Sequence, residues 1–208
     1  GDPIGVDMPA SIVLEVTDPA STVPREQRVV TLIETQQHGN EPAGTGAAVP
    51  LINDLAGGSE LLATLDNQVL LLLPMSNPDG ATANTRANKA GADINRDHVG
   101  LETPEAQAIK LIQRKWDVHV AVDHHEYSGT GVGSPVPVRV YDWDLTTMTP
   151  NHGNVRAPTA KAAADLNAAI WESAAAAGYS VGEYGWTTAN GVKVEQSAGG
   201  PDPGILRN

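Results

Sequence analysis

The sequence contains no cysteine, no long apolar run and few basic residues. The absence of cysteine excludes disulfide frameworks and thiolate metal sites, so any transition metal would have to be held by His, Asp or Glu. The longest apolar run, near Val69–Pro74, is far too short to cross a bilayer. Acidic residues number 25 against 13 basic ones, and so negative a surface is a poor electrostatic match for nucleic acid or anionic lipid. We therefore expect no nucleic-acid partner and no membrane partner.

The chain has 208 residues, of which 40% are hydrophobic and 18% charged, a composition that predicts a folded protein. Its length suits one domain, and no linker divides it, so we expect a single domain over residues 1–208. The chain begins with Gly1, and its last five residues are typical of the start of a helix. We therefore expect a fragment, truncated at both ends. Nothing in the sequence indicates an oligomeric state.

Short apolar runs rich in β-branched residues or Leu predict four strands, and amphipathic stretches predict three helices. Strands that alternate with helices indicate the α/β class, with an open, mostly parallel (mixed) twisted sheet flanked by helices. Residues 76–100 and 127–158 are irregular by composition and too long for plain connections, so we expect them to be functional or to cross the surface. The predicted strands are Ile12–Val16, Val29–Glu34, Val69–Leu73 and Val118–Asp123, and the predicted helices are Pro42–Leu55, Thr103–Trp116 and Thr159–Ala177.

Two polar motifs follow predicted strands. His38 and Glu41 come just after the strand Val29–Glu34, where a helix should begin, and a His and a Glu three residues apart can face one metal ion. His124 and His125 end the strand Val118–Asp123. In open α/β folds ligands bind outside the carboxyl ends of the strands, so both motifs reach the same edge of the sheet. The alternative is a capped helix start and a strand end with solvated polar side chains.

A third polar group follows the strand Val69–Leu73. An Asn-Pro-Asp-Gly turn at residues 77–80 precedes Arg86, Asp93, Asn95 and Arg96. Arginine offers a planar fork to a carboxylate, and asparagine adds a neutral donor. Beside a metal site made of two His and one Glu, these residues would recognise an anionic end of a substrate. The alternative for each of them is a surface salt bridge or an Asx-turn.

Taken together, these motifs resemble the zinc carboxypeptidase (metallocarboxypeptidase, or funnelin) family. The resemblance is clear over roughly residues 29–126 and loose elsewhere, and as a set the motifs are specific. The matching pieces, in the family's order, are His-Gly-Asn-Glu at 38–41, Asn-Pro-Asp-Gly at 77–80, Arg86, Asp-Ile-Asn-Arg at 93–96, Thr-Pro-Glu-Ala at 103–106 and Asp-His-His-Glu at 123–126.

The resemblance implies one zinc ion per chain and a role for each matching residue. His38, Glu41 and His125 would be the zinc ligands, with His125 chosen over His124 because the family pattern reads Asp-x-His-Glu. Arg86 would polarise the scissile carbonyl and stabilise its oxyanion. The remaining roles are those of Asn95 and Arg96, which would hold the terminal carboxylate of the substrate, and of Asp93, which would orient His38.

One catalytic group of the family has no counterpart in the sequence. A general base must take the proton of the zinc-bound water and pass it to the leaving amine, and in the family this is a Glu near the end of the domain. Glu183 and Glu195 lie late in the chain without the expected context, and Glu126 is expected to be structural. Tyr179 and Tyr184 are candidates, without motif support, for the family's substrate-capping Tyr. We expect this fragment to hydrolyse peptides slowly or not at all.

The resemblance predicts an enzyme that removes C-terminal residues from peptides bearing a free carboxylate, and it implies a secreted or periplasmic location. Two alternatives remain open. One is a zinc-dependent N-acyl amino acid deacylase of the succinylglutamate desuccinylase or aspartoacylase type, which shares part of the motif set. The other is a non-catalytic module that binds zinc or peptide. The sequence does not indicate which C-terminal side chain is preferred.

Overall fold

The computed structural model describes residues 12–126, 143–148 and 155–182, together with the backbone of 183, 185–187 and 193–195. These residues fall into two compact units, one ending at Glu126 and the other beginning after it. Each unit is described by itself below. The single domain expected over residues 1–208 stays a prediction.

A four-stranded sheet is the frame of the first unit, and its strands occur in the order β1, β3, β2, β4. Strand β2 is parallel to both of its neighbours, whereas β1 is antiparallel to β3. The predicted α/β class, with an open and mostly parallel sheet, is confirmed. The strands are β1 (Leu14–Thr17), β2 (Val29–Thr35), β3 (Gln68–Leu73) and β4 (Val120–His124).

Helices cover both faces of this sheet. Helix α3 (Pro104–Lys115) packs on one face through Ile109 and Ile112, against Val30 and Leu32 of β2. Helix α1 (Ala43–Ala56) packs on the other face, where Leu55 belongs to a second apolar cluster. Strand β3 contributes to both clusters, since successive side chains of a strand point to opposite faces. A strand that is buried on both faces explains the continuous apolar run of β3.

The stretch 76–100, which was expected to be irregular, contains a short helix, α2 (Pro78–Ala83), and a single 3₁₀ turn at Ile94–Arg96. Helix α2 escaped the sequence-based prediction because its composition, Pro-Asp-Gly, is that of a turn. Asn77 caps it by accepting a hydrogen bond from the Gly80 N–H (2.9 Å). The predicted start of α3 is confirmed, with Thr103 as its N-cap and Pro104 as its first residue.

The second unit contains a long helix, α4 (Ala157–Ala176), close to its predicted position. Its described strands form two small sheets: β5 (Leu145–Thr147) runs parallel to β6 (Val181–Glu183), and β7 (Gly185–Thr187) runs antiparallel to β8 (Lys193–Glu195). The four short strands of this unit were not predicted. Across both units, no described helix is long and apolar enough to cross a bilayer.

Candidate metal centre

The loop between β2 and α1 brings His38 and Glu41 into the interior, where His38 is only 3% exposed. Gln36 begins this loop in the left-handed region (φ 57°), an uncommon conformation for a residue other than Gly. Its side chain is buried and donates from Nε2 to the Gly39 carbonyl (2.8 Å), and it accepts a hydrogen bond from the Thr45 hydroxyl. The amide of Gln36 thus joins the loop to the first turn of α1.

The loop also packs closely against α2. A Cβ atom added to Gly39 would lie 1.9 Å from the carbonyl carbon of Gly80, a distance at which no side chain fits. Nearby, the Asn77 amide donates to the Gln37 carbonyl (3.0 Å). Glycine at position 39 is therefore a condition for bringing His38 and Glu41 to this place, since it permits the close approach of two backbones.

Three potential ligands converge where β2 and β4 end. Glu41 Oε1 lies 2.7 Å from His38 Nδ1, and Glu41 Oε2 lies 2.9 Å from His125 Nδ1. The two Nδ1 atoms are 3.1 Å apart, and all three ligand atoms lie within 4.8 Å of one another. Two imidazole nitrogens and one carboxylate are a donor set that suits zinc and leaves a coordination position open. These residues therefore fit the predicted zinc ion.

Each imidazole turns its other nitrogen toward an aspartate. His38 Nε2 lies 3.2 Å from Asp93 Oδ1, and His125 Nε2 lies 2.8 Å from Asp123 Oδ2. A metal-bound histidine usually donates its second N–H to such an acceptor, which fixes the ring and its tautomer. Asp93 is where the resemblance predicted it. Asp123 has no role in the sequence-based assignment, although its place two residues before His125, on the same strand face, was an available signal.

The electrostatics of the cluster favour a charged carboxylate between charged or metal-bound rings. Burial alone would raise the pKa of Glu41, but hydrogen bonds from His125 and His38 and their positive charges lower it to about 2. Burial would likewise lower the pKa of His125, but Asp123 and Glu41 raise it to about 9 through hydrogen bonds and charge. The pKa of Asp93 is lowered, because hydrogen bonds from His38 and the positive charge of Arg86 outweigh its partial burial. The carboxylates of Glu41 and Asp93 are therefore held in their charged form.

Arg86 lies beside the ligands with its side chain half-exposed. Its Nη1 atom is 3.2 Å from His38 Nδ1 and 3.9 Å from Glu41 Oε1. Its Nε atom donates to Asp93 Oδ2 (2.8 Å), which holds the guanidinium at the edge of the centre. The role of Arg86 toward the scissile carbonyl stays a prediction.

Asn95 and Arg96 lie on the same side, but their contacts are with the protein. Asn95 is buried, and its Nδ2 atom is 2.8 Å from His125 Nε2. Arg96 is partly buried and donates from Nη1 to the Asn95 carbonyl (2.9 Å). The structure places Asn95 against His125, whereas the contact given for Arg96 is with its neighbour in the chain; the role of both in holding a substrate carboxylate stays a prediction.

The two residues that flank His125 have different surroundings. His124 is exposed and lies on the α1 face of the sheet, where a Cβ atom on Gly44 would be 3.3 Å from its own Cβ. Glu126 accepts a hydrogen bond from the Ala43 N–H (3.0 Å) at the start of α1, and its own N–H donates to Glu41 Oε2 (3.1 Å). These contacts agree with the structural role expected of Glu126, because a carboxylate is favoured at a helix N-terminus.

Four late residues were candidates for the general base or the substrate-capping Tyr. The side chains of Glu183 and Glu195 and all of Tyr184 lie outside the described residues. Tyr179 is described, and it is 59% exposed just after α4.

Comparisons with known proteins agree with the motifs. Residues 10–101, a little under half of the chain, match the family model described as zinc carboxypeptidase. The chain is 32% identical over 133 residues to a probable carboxypeptidase 2 of Arthroderma benhamiae and to carboxypeptidase 2 of Trichophyton rubrum. Each alignment covers 64% of this chain and 25% of the relative, so the chain spans about a quarter of the length of these curated relatives. The predicted resemblance to zinc carboxypeptidases is confirmed.

Solved structures with a similar backbone include two bacterial metallo-carboxypeptidases. The Burkholderia cenocepacia protein has a TM-score of 0.49 at 22% identity, with 58% of this chain and 38% of that chain covered. The Pseudomonas aeruginosa protein, in complex with (2-guanidinoethylmercapto)succinic acid, has a TM-score of 0.47 at 27% identity, with 55% and 31% covered.

Proposed function

We propose that this chain carries the metal centre of a zinc metallocarboxypeptidase, a hydrolase that removes C-terminal residues from peptides. The observation that carries the proposal is the convergence of His38, Glu41 and His125, with each imidazole oriented by its own aspartate. The family match over residues 10–101 supports it independently.

When bound, zinc would supply a water of lowered pKa and would polarise the scissile carbonyl. The residues of the chain do the rest. The Asp93 and Asp123 carboxylates hold the two imidazoles in the tautomer that leaves Nδ1 free to ligate. Arg86, anchored by Asp93, offers its guanidinium to the oxygen that becomes negative, and a donor placed in this way is worth about 3–4 kcal/mol in the transition state.

Asn95 and Arg96 complete the proposal as the residues that receive the terminal carboxylate of the peptide. Asn95 lies against His125, and Arg96, the next residue, donates to the Asn95 carbonyl. A substrate that competes for Arg96 would exchange a hydrogen bond to a neutral carbonyl for one to a charged carboxylate, which can be bidentate and is the stronger of the two.

The general base is not assigned to any described residue. Glu41 is occupied as a ligand, and the Asp93 and Asp123 carboxylates hold imidazoles. We propose a secreted or periplasmic location on the resemblance to the family alone.

The proposal is tested with a peptide that ends in a free acid, compared with the same peptide ending in an amide. We expect tighter binding of the acid by the zinc-loaded chain, because losing one charge-assisted pair costs about 1.5–3 kcal/mol. The Arg96→Gln variant should remove most of this difference, and the matched control Arg114→Gln, on the outer end of α3, should retain it. Isothermal titration calorimetry measures all four combinations.

Two outcomes would redirect the assignment. Equal affinity for acid and amide, together with hydrolysis of N-acyl amino acids, would replace the peptidase by a deacylase. Preferential binding of the acid without hydrolysis, also in a version extended through the next segment of the parent gene, would indicate a binding module.

A further inference from the structure

Glu34 is a buried acid that the proposed reaction does not use. It lies on β2, where alternation places it on the face of Val30 and Leu32, directed at α3. Its side chain is 0% exposed, and neither carboxylate oxygen has a hydrogen-bond partner among the described residues. Burying a carboxyl group without a partner is costly, so a group in this place calls for a specific explanation.

The sheet gives Glu34 one apolar neighbour and one polar neighbour. Its register partner on β3 is Leu73, which is buried in the core. Its register partner on β4 is Asp123, the residue that holds His125 Nε2. Side chains that are paired across adjacent strands share a face of the sheet and lie within reach of each other. The acid therefore lies beside Asp123, one step farther from the metal.

The other charged group facing Glu34 comes from α3. Lys110 is partly buried there, but its Nζ atom donates to Gln113 Oε1 (3.2 Å) and does not contact Glu34. Desolvation lowers the pKa of Lys110, while the charges of Glu34 and Asp123 oppose this shift. Lys110 thus belongs to the surroundings of Glu34 without neutralising it through a direct contact.

Two neighbouring carboxyl groups away from water do not both ionise. The Asp123 side chain acts as an acceptor where its Oδ2 atom meets His125 Nε2, at 2.8 Å. Burial is the main cause that raises the pKa of Glu34 well above its ordinary value, and the charge of Asp123 adds to it, against Lys110 and His125. Glu34 therefore keeps its proton, and its O–H is a donor beside an acceptor.

We propose that Glu34 is a positioning residue of the metal centre, whose carboxyl group holds Asp123 in the orientation that directs His125 to the metal. The register pairing of the two residues puts the carboxyl group of Glu34 within reach of the Asp123 side chain. This inference rests on the metal centre of the proposed function. Being wholly buried behind Asp123, Glu34 does not touch substrate, so its effect passes through Asp123.

The zinc dissociation constant, measured by competition with a chelator, tests this role in four chains. The Glu34→Met variant removes the donor at similar volume, and we expect 10–100-fold weaker binding, the usual cost of losing an outer-shell partner. The Glu34→Gln variant keeps a donor and should bind like the wild type. Leu32→Met is the matched control, since Leu32 is equally buried on the same face of β2 but pairs with Ala121. Urea unfolding of the metal-free chains checks that each variant is folded.

A double-mutant cycle shows whether the effect passes through Asp123. In an Asp123→Asn background, Glu34→Met should add little to the loss of zinc affinity, because residues that act in series are not additive. Unchanged zinc affinity in Glu34→Met, equal losses in Glu34→Met and Glu34→Gln, or fully additive losses in the cycle would each overturn the proposal.

Infrared difference spectroscopy covers the case in which Glu34→Met does not fold. The zinc-minus-apo spectrum of the wild type should contain the carbonyl band of a protonated carboxyl group, and that band should be absent from Glu34→Gln. A wild-type spectrum without the band would overturn the proposal. A wild-type chain that binds no zinc would also contradict the metal centre itself. Zinc binding without peptide recognition would contradict the proposed function alone.

Discussion

The two halves of the metal centre are held in different ways. His38 and Glu41 come from a loop after the central strand β2, and this loop is pinned by Gln36 and by the packing of Gly39 against Gly80. His125 follows β4, which among the described residues pairs with β2 alone. The His38 side chain is 3% exposed and that of His125 is 13% exposed.

The comparison shows how backbone packing and side-chain hydrogen bonding divide the task of building one site. On the loop side, two backbones in contact fix where His38 can be. On the β4 side, the orientation of the ring depends on Asp123, whose Oδ2 atom lies 2.8 Å from His125 Nε2. We therefore expect the loop side to tolerate no added volume, and the β4 side to be sensitive to the identity of its polar partners.

Loss of a ligand from either half should have the largest effect. We expect about one equivalent of zinc in the dialysed wild type and almost none in His38→Ala or in His125→Ala, because a three-ligand site does not hold zinc tightly with two. His124→Ala, one residue away on the opposite face, is the matched control and should keep its zinc. Metal analysis after dialysis decides this, and retention of zinc by His125→Ala with loss in His124→Ala would show that His124 is the ligand.

The Gly39→Ala variant tests the backbone packing of the loop half. Its Cβ atom would overlap the backbone of Gly80, so we expect the free energy of unfolding to fall by about 3 kcal/mol or more. Gly46→Ala in α1 is the matched control, since no atom lies within 4 Å of its added Cβ, and it should stabilise the helix by about 0.5–1 kcal/mol. Urea denaturation measures both changes. Equal stabilities for the two variants would contradict the close packing of the loop.

A pH titration tests the contact between His98 and the loop that carries His38 and Glu41. His98 is buried, and its Nε2 atom is 2.7 Å from Oε1 of Gln37, the residue before His38. Burial is the main cause that lowers its pKa to about 4, with the charge of Lys110 adding to it. The unfolded chain binds this proton near pH 6.5, so the stability due to neutral His98 is complete above that pH and is lost as the pH falls toward 4.

The expected size of this loss is about 3 kcal/mol, since one pKa unit corresponds to about 1.4 kcal/mol. In His98→Gln the unfolding free energy should lack this part of the decline between pH 6.5 and 4. The difference between the two curves removes the contribution of groups that titrate in both chains. Parallel curves for wild type and variant would show that His98 does not take part.

The aspartates offer the finest comparison of the two halves. Asp93→Asn and Asp123→Asn should each weaken zinc binding, by roughly 10–100-fold. We expect the larger loss in Asp123→Asn, because packing still holds His38 in place when Asp93 is changed, whereas His125 depends on its polar partners. Chelator competition measures both constants. A larger loss of zinc affinity in Asp93→Asn would show that His38 depends on its aspartate more than His125 does.

The sequence was enough to predict the sheet, the larger helices and the convergence of His38, Glu41 and His125, because these follow from apolar periodicity and from short motifs. His38 and Glu41 are three residues apart, and ligands of open α/β folds bind at the carboxyl ends of the strands, where His125 also lies. Asp123 could have been found from its place two residues before His125, but Glu34 could not be assigned in this way. Its role depends on which strands are neighbours and in what register, and Glu34 pairs with Asp123 only because β2 lies between β3 and β4.

The pairing of β2 with β4 also has a consequence for the order of events in folding. The Val30 N–H donates to His119 Nδ1, just before β4, across 89 residues, so β4 reaches β2 only after a long loop has closed. Contacts between distant segments form slowly, because the entropy of closing the loop is lost before the contacts compensate for it. His38 and Glu41 can be neighbours early, but the third ligand arrives with β4. Zinc would therefore bind tightly only after β4 has paired with β2. Its binding should slow unfolding more than it speeds folding.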